Sequence, residues 1–156
     1  MKNILFFVWE FLQNFVGLLV IGWNKLINNG VKKNTFDNVT FYTMKHFFNS
    51  GVSLGQFIIL DDIYNQEKYK IGKNSLLKLT VHHEDGHRKQ SRMLGPLYLF
   101  VIGIPSALHN LYNRTLKGKM TEAERIEEYY NWYCEKWADQ LSGIVENRKE
   151  YINERK

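Results

Sequence analysis

Three of the five histidines fall in one hexapeptide, His82-His83-Glu84-Asp85-Gly86-His87, and within it His83-Glu84-x-x-His87 has the HExxH spacing. Residues four apart stack on one helix face. Two imidazoles so spaced can therefore hold one Zn²⁺ while Glu84 reaches a water on the metal and serves as general base. Leu76, Leu79, His83, His87, Gln90 and Leu94 share one helical stripe, so both rings point where leucines point, into the interior. His82 is turned about 100° from His83 on such a helix and is expected, like His46, to be structural or solvated.

A catalytic zinc site takes three protein ligands and keeps a fourth position for water. The candidate third ligand is Glu135, in Glu135-Lys136-Trp137-Ala138-Asp139. Ile126, Tyr130, Tyr133, Trp137 and Leu141 form an apolar stripe, with Glu135 and Asp139 roughly opposite it. Packing through that opposite side would bring Glu135 to the metal. Asp139 would then accept a hydrogen bond from a ligand histidine and fix its tautomer. The small Ala138 and Ser142 suit a close helix approach. One Zn²⁺ per chain is the expected cofactor.

With Glu135-x-x-x-Asp139 beginning 48 residues after His87, the pattern resembles the gluzincin branch of zinc metallopeptidases. In that branch a Glu on a later helix is the third ligand and an Asp one turn on supports a ligand His. HEDGHRKQS and EKWADQLSG are similar to segments of membrane metallopeptidases related to the CAAX-processing protease and its bacterial heat-shock counterpart. LGPLYLFVIGIPS resembles small uncharacterised bacterial proteins with HEYGH-x-x-QS-x-x-LGPLYL, and faintly the metallopeptidase-like tips of Rhs-type toxins. The specific resemblance covers Val81 to Gly143. Asp85 departs from it, since those families usually carry an aromatic or aliphatic residue there. If buried, Asp85 needs a partner from Arg88, Lys89 or Arg92.

The resemblance implies hydrolysis of peptide bonds in a peptide or protein substrate. Zn²⁺ would polarise the carbonyl, and Glu84 would take the proton of the metal-bound water and deliver it to the leaving amine. His109, Tyr112, Tyr129 and Tyr130 are unranked candidates for the oxyanion donor. Cys134 reads as a core thiol.

These residues need elements to position them. Asn74 or Ser75 can cap a helix from about Leu76 to Met93, with Gly95 beyond its end. Thr121 to Glu124 is a capping box for a helix that continues or restarts at Asn131 and ends near Ser142-Gly143. Phe57 to Leu60 reads as a strand, either the substrate-binding edge strand that zincins place before the active-site helix or an internal one. Residues 28 to 55 read as polar and irregular, with Val39 to Tyr42 a possible strand. The expected fold is α+β and predominantly helical, a minimal zincin-like core with an N-terminal hydrophobic helix. Residues 1–28 form that helix, and residues 29–156 form the metallopeptidase domain with an apolar insertion at 93–113.

Two apolar blocks qualify any reading of the chain as simply soluble, although its mean hydropathy is −0.38. Residues 4–23 carry one narrow polar stripe that includes Glu10, Gln13, Asn14 and Gly17, as in a helix lying in a membrane interface or clamped on the domain's own core. No small-residue cleavage site follows, so this block is expected to stay in the mature protein. Residues 93–113 lack formal charge and are long enough to span a bilayer, but Pro96 and Pro105 beside Gly95 and Gly103 interrupt them. A re-entrant or interfacial hairpin, or a loop covering the core, fits better.

The 156 residues suffice for one domain, and with 2 Pro, 11 Gly and 15% aromatics they exclude collagen-like and disordered classes. A single cysteine excludes an intrachain disulfide and a cysteine-based zinc ribbon. Net charge is +5, and its excess lies wholly in residues 1–113, scattered without an Arg-rich helix. Membrane lipid is thus the expected partner and nucleic acid is not. Flanking Lys25, Lys32 and Lys33 favour a cytoplasmic site. Competing readings are a non-catalytic binding protein on a zincin scaffold and a membrane-active effector.

Overall fold

The computed structural model describes residues 2–47, 50–69 and 74–156. Its seven α-helices and four-stranded mixed sheet give the expected predominantly helical α+β class. Strands β1 (Lys32–Phe36) and β2 (Val39–Met44) form a hairpin whose two turn residues, Asp37 and Asn38, both have positive φ. Asp and Asn tolerate that conformation, and its twist matches the flanking strands. Strands β3 (Gly51–Leu54) and β4 (Phe57–Asp61) form a second hairpin, and the sheet order is β1-β2-β4-β3.

Strand β4 is therefore internal, parallel to β2 and antiparallel to β3. Ile58, Ile59 and Leu60 are completely buried, as a strand covered on both faces requires. The edge-strand reading of Phe57 to Leu60 is corrected accordingly. The edge before the helix that carries HExxH is β3, from the stretch that reads as irregular because Gly-Val-Ser-Leu is too short and too weakly apolar to signal a strand.

The sheet lies between two helices. Ile58 and Leu60 pack with Leu77 and Val81 of α3 (Leu76–Leu94), whereas Ile59 and Met44 pack with Ile21 of α2 (Phe11–Leu26). Ser75 caps α3 by accepting from the Lys78 amide, and Gly95 ends it at φ 54°. Beyond it, residues 95–103 continue as a 3₁₀ turn and a π-helical turn into α4 (Ile104–Thr115). The capping box at Thr121 and Glu124 opens α5 (Glu122–Asn131).

Trp132 is extended and breaks the chain before α6 (Tyr133–Ser142), so the stripe from Ile126 to Leu141 belongs to two helices. The buried face of α6 is Cys134, Glu135, Ala138 and Asp139, and Tyr133 is half exposed. A further helix, α7 (Val145–Asn153), follows, for which the sequence reading made no provision.

The N-terminal apolar block is two helices, α1 (Lys2–Trp9) and α2, separated at Glu10. Its polar stripe faces inward: Glu10, Gln13 and Asn14 are completely buried. Gln13 Nε2 donates to Ser91 Oγ and to the Gly95 carbonyl, both at 2.9 Å, and Asn14 Oδ1 accepts from the Gln56 amide at 2.7 Å. Among the described residues no single helix is long and apolar enough to cross a membrane. One bent pair, Leu76–Leu97 with Leu99–Thr115 at 119°, meets the requirement jointly by length and composition.

The tightest helix contact is between α3 and α6, where a Cβ on Gly86 would collide with the Ala138 backbone at its carbonyl. Neither partner is a flexible side chain, so Gly86→Ala must separate the helices. It is expected to cost about 1–3 kcal/mol in urea unfolding. A change below about 0.5 kcal/mol, the range of indifferent surface substitutions, would contradict this packing.

Candidate metal centre

The α3–α6 contact brings together residues distant in sequence. His83, His87 and Glu135 are buried, and one ligand atom from each lies within 4.8 Å of the others, so the group could hold a metal ion. His83 Nε2 is 2.9 Å and His87 Nε2 is 3.1 Å from Glu135 Oε2, and the two Nε2 atoms are 3.1 Å apart.

Second contacts to the same rings decide what those atoms carry. His83 Nδ1 lies 2.7 Å from Asp139 Oδ1. A carboxylate only accepts, so Nδ1 holds a proton, and whenever the ring is neutral its lone pair is on Nε2, toward Glu135. His87 Nδ1 lies 2.7 Å from Gln90 Oε1, and the Gln90 amide is oriented by donation from Nε2 to the Cys134 carbonyl at 2.8 Å. His87 Nε2 is likewise left with a lone pair. Three electron-pair donors thus converge in a buried space, and Glu135 Oε1 has no hydrogen-bond partner. One proton can bridge only one edge of this triangle, whereas a cation satisfies all three corners.

The electrostatics favour positive charge between these groups. Burial works against charge on the His83 ring, but Asp139 and Glu135 outweigh it and lift its pKa to about 10. Burial also disfavours the Glu135 carboxylate, yet His87 and His83 hold its pKa well below the usual range. Asp139, although buried, is kept low by His83 and Arg148. Arg148 Nε lies 3.0 Å from Asp139 Oδ2 and Nη2 3.2 Å from Oδ1, a bidentate pair, and the guanidinium lies 3.6 Å from the Tyr130 ring centroid. Tyr130 in turn packs edge-on against His83 at 5.0 Å.

Gln90 and Arg148 were missed in these roles. Gln90 sits on the ligand stripe three residues after His87. Arg148 sits four residues from both Ile144 and Ile152 on the buried face of α7, a spacing that marks it as an inward-facing charge.

Glu84 Oε2 is buried without a partner, and burial pushes its carboxyl up against the pull of His87 and His83. Glu84 and His87 line a cleft of about 530 Å³ whose walls are β3, Val20 of α2, Leu99, α4 and Tyr129. Gly51 lets the edge strand pass, since a Cβ there would lie 2.7 Å from Glu84 Oε1.

Of the four candidate oxyanion donors, only Tyr129 lines this cleft among the described residues. His109 is stacked on Trp132 at 4.5 Å and bonds Glu128 at 2.9 Å, Tyr112 is exposed, and Tyr130 packs behind His83. Asp85 is buried and paired with Arg88 and with Lys89 at 3.0 Å, while Arg92 bonds Gln56 instead. His82 is directed to Asp37 at 3.2 Å. Cys134 is fully buried.

No protein-family model matches the chain, and neither a curated protein nor a solved structure matches it.

Replacing a ligand should empty the centre, and replacing its support should weaken it. Glu135→Gln is expected to abolish retention of a divalent metal through dialysis, measured by elemental analysis. Gln90→Leu, which frees the His87 ring, should lower metal affinity about 10–100-fold. Unchanged metal content in Glu135→Gln would remove Glu135 from the ligand set.

Proposed function

We propose that the protein is a small zinc-dependent peptidase, with His83, His87 and Glu135 holding Zn²⁺ and Glu84 as general base. The observation that carries this reading is the convergence of three buried electron-pair donors beside a carboxylate with an unpartnered oxygen at the floor of a cleft. Two imidazoles and one carboxylate are the donor set of catalytic rather than closed structural zinc sites. The resemblance of HEDGH and EKWAD to gluzincin motifs supports the same assignment.

Zinc in such a site supplies Lewis-acid polarisation of the substrate carbonyl and of water. Asp139, held by Arg148, and Gln90, held by the Cys134 carbonyl, keep the two rings in the tautomer that binds metal through Nε2. Glu84 accepts a proton from the attacking water and returns it to the amine nitrogen as the C–N bond breaks. Water is thereby consumed and an acid and an amine are released. An extended substrate would pair with the backbone of edge strand β3, which Gly51 brings against Glu84. Tyr129, which also lines the cleft, is the hydroxyl we assign to donate to the developing oxyanion.

Glu84→Gln separates this reading from a scaffold that only binds and from an effector that only perturbs membranes. It should cut hydrolysis of a peptide library about 10²–10⁴-fold while zinc content and thermal unfolding stay as in wild type. Undiminished activity or toxicity in this variant would overturn the peptidase reading.

A further inference from the structure

Most exposed large apolar side chains are concentrated in two segments. Twelve lie between residues 5 and 27 and eight between 93 and 112, and elsewhere among the described residues only Trp132 and Tyr133 are so exposed. The segments adjoin: the Trp9 indole N–H donates to the Arg92 carbonyl at 3.1 Å and packs on Gly95, while Gln13 donates to the Gly95 carbonyl. They therefore make one face, far larger than the isolated apolar patches of ordinary soluble surfaces.

The orientation of α2 is inverted relative to a helix packed in water. Gln13, Asn14 and Gly17 are buried on the protein side, and Phe15, Leu19 and Trp23 are 59%, 55% and 62% exposed. Helix α4 repeats the pattern, with His109 and Asn113 turned inward and Leu108 and Leu111 each 62% exposed.

The charge around this face has one sign. Residues 11–36 contain Lys25, Lys32 and Lys33 and no acid, and residues 93–121 contain Arg114, Lys117 and Lys119 and no acid. All six are exposed and lie at or just beyond the C-terminal ends of α2 and α4. Val20 of α2 and Arg114 of α4 line the same cleft, so the two helices border one opening.

We infer that this face docks on an anionic lipid bilayer, with α1, α2, residues 95–103 and α4 lying in the interface and the basic rim on the headgroups. Aromatic and aliphatic side chains on the outer face would enter the headgroup–acyl boundary, and lysines and arginines beside them would meet anionic lipid. A second copy of the chain fits less well, because a face-to-face pair would oppose two rims of like charge. The cleft holding Glu84 and His87 opens between α2 and α4, so docking sets its mouth at the bilayer surface. The docking itself is independent of the peptidase reading.

The test is flotation of the full-length protein, at 100 mM NaCl, with vesicles of phosphatidylcholine and phosphatidylglycerol (about 7:3) and of phosphatidylcholine alone, conditions in which surface charge still acts across about 10 Å. Wild type should float with the anionic vesicles and about tenfold less with the neutral ones. Phe15→Glu/Leu19→Glu and Leu108→Glu/Leu111→Glu, all at exposed positions, should each reduce flotation at least about tenfold with metal content and melting unchanged. Lipids brominated on the acyl chain should quench tryptophan fluorescence, and the quenching should fall in Trp23→Phe, leaving the part due to Trp9. Glu135→Gln should float like wild type, so failure of docking and failure of the metal assignment are read separately. A chain that stays in the aqueous layer with both vesicle types overturns the proposal. So does a lipid-free dimer that the same double variants dissociate, or flotation that they leave unchanged.

Discussion

The backbone contact between α3 and α6 is the constraint on which the centre depends. Gly86 sits between His83 and His87 and lies against the Ala138 backbone, so the helix axes approach more closely than two side-chain layers would permit. At that separation short side chains from each helix meet directly. His83 and His87 reach Glu135, and His83 reaches Asp139, without intervening packing. Each ring then needs only one further partner to fix its proton, and Asp139 and Gln90 are those partners. Arg148 reaches in from α7 and neutralises Asp139, whose charge would otherwise be isolated in the interior.

A second constraint concerns which side of the molecule is wet. Helix α2 lies on the sheet through amides and a glycine. Gly17 is pressed on Phe57, and Asn14 closes the β3–β4 turn at Gly55 and Gln56. Polar contacts, together with Ile21, secure the helix, and most of its apolar surface faces outward. Burying Gln13 and Asn14 without partners would be costly, and hydrogen bonds from Gln13 Nε2 and at both ends of the Asn14 amide offset much of that cost, although Gln13 Oε1 has no partner. The inverted helix is thus a consistent packing solution.

Strand β3 joins these two parts. It is the edge of the sheet, it lies against Glu84 through Gly51, and it forms one wall of the cleft beside α2 and α4. The carboxylate, the open backbone edge and the outward-facing helices consequently share one side of the molecule.

The sequence by itself determined the parts whose information is local. HExxH on one stripe, the caps at Ser75 and Thr121, the Glu135/Asp139 pair and the interrupted apolar block are all readable, because spacing along a single helix decides which side chains share a face. Strand β3 and helix α7 were not readable, and neither were Gln90 and Arg148 as supports of the centre; the break at Trp132 was one of two alternatives the sequence left open. A short strand is specified by the neighbour that pairs with it, and a buried arginine by the carboxylate it meets. The polar stripe of α2 was visible, but not which medium it faces: a helix with one polar stripe has the same pattern in a membrane interface and on a protein core. Only the tertiary structure decided that the stripe points inward, because there Gln13 Nε2 finds Ser91 and Gly95 and Asn14 Oδ1 finds the Gln56 amide.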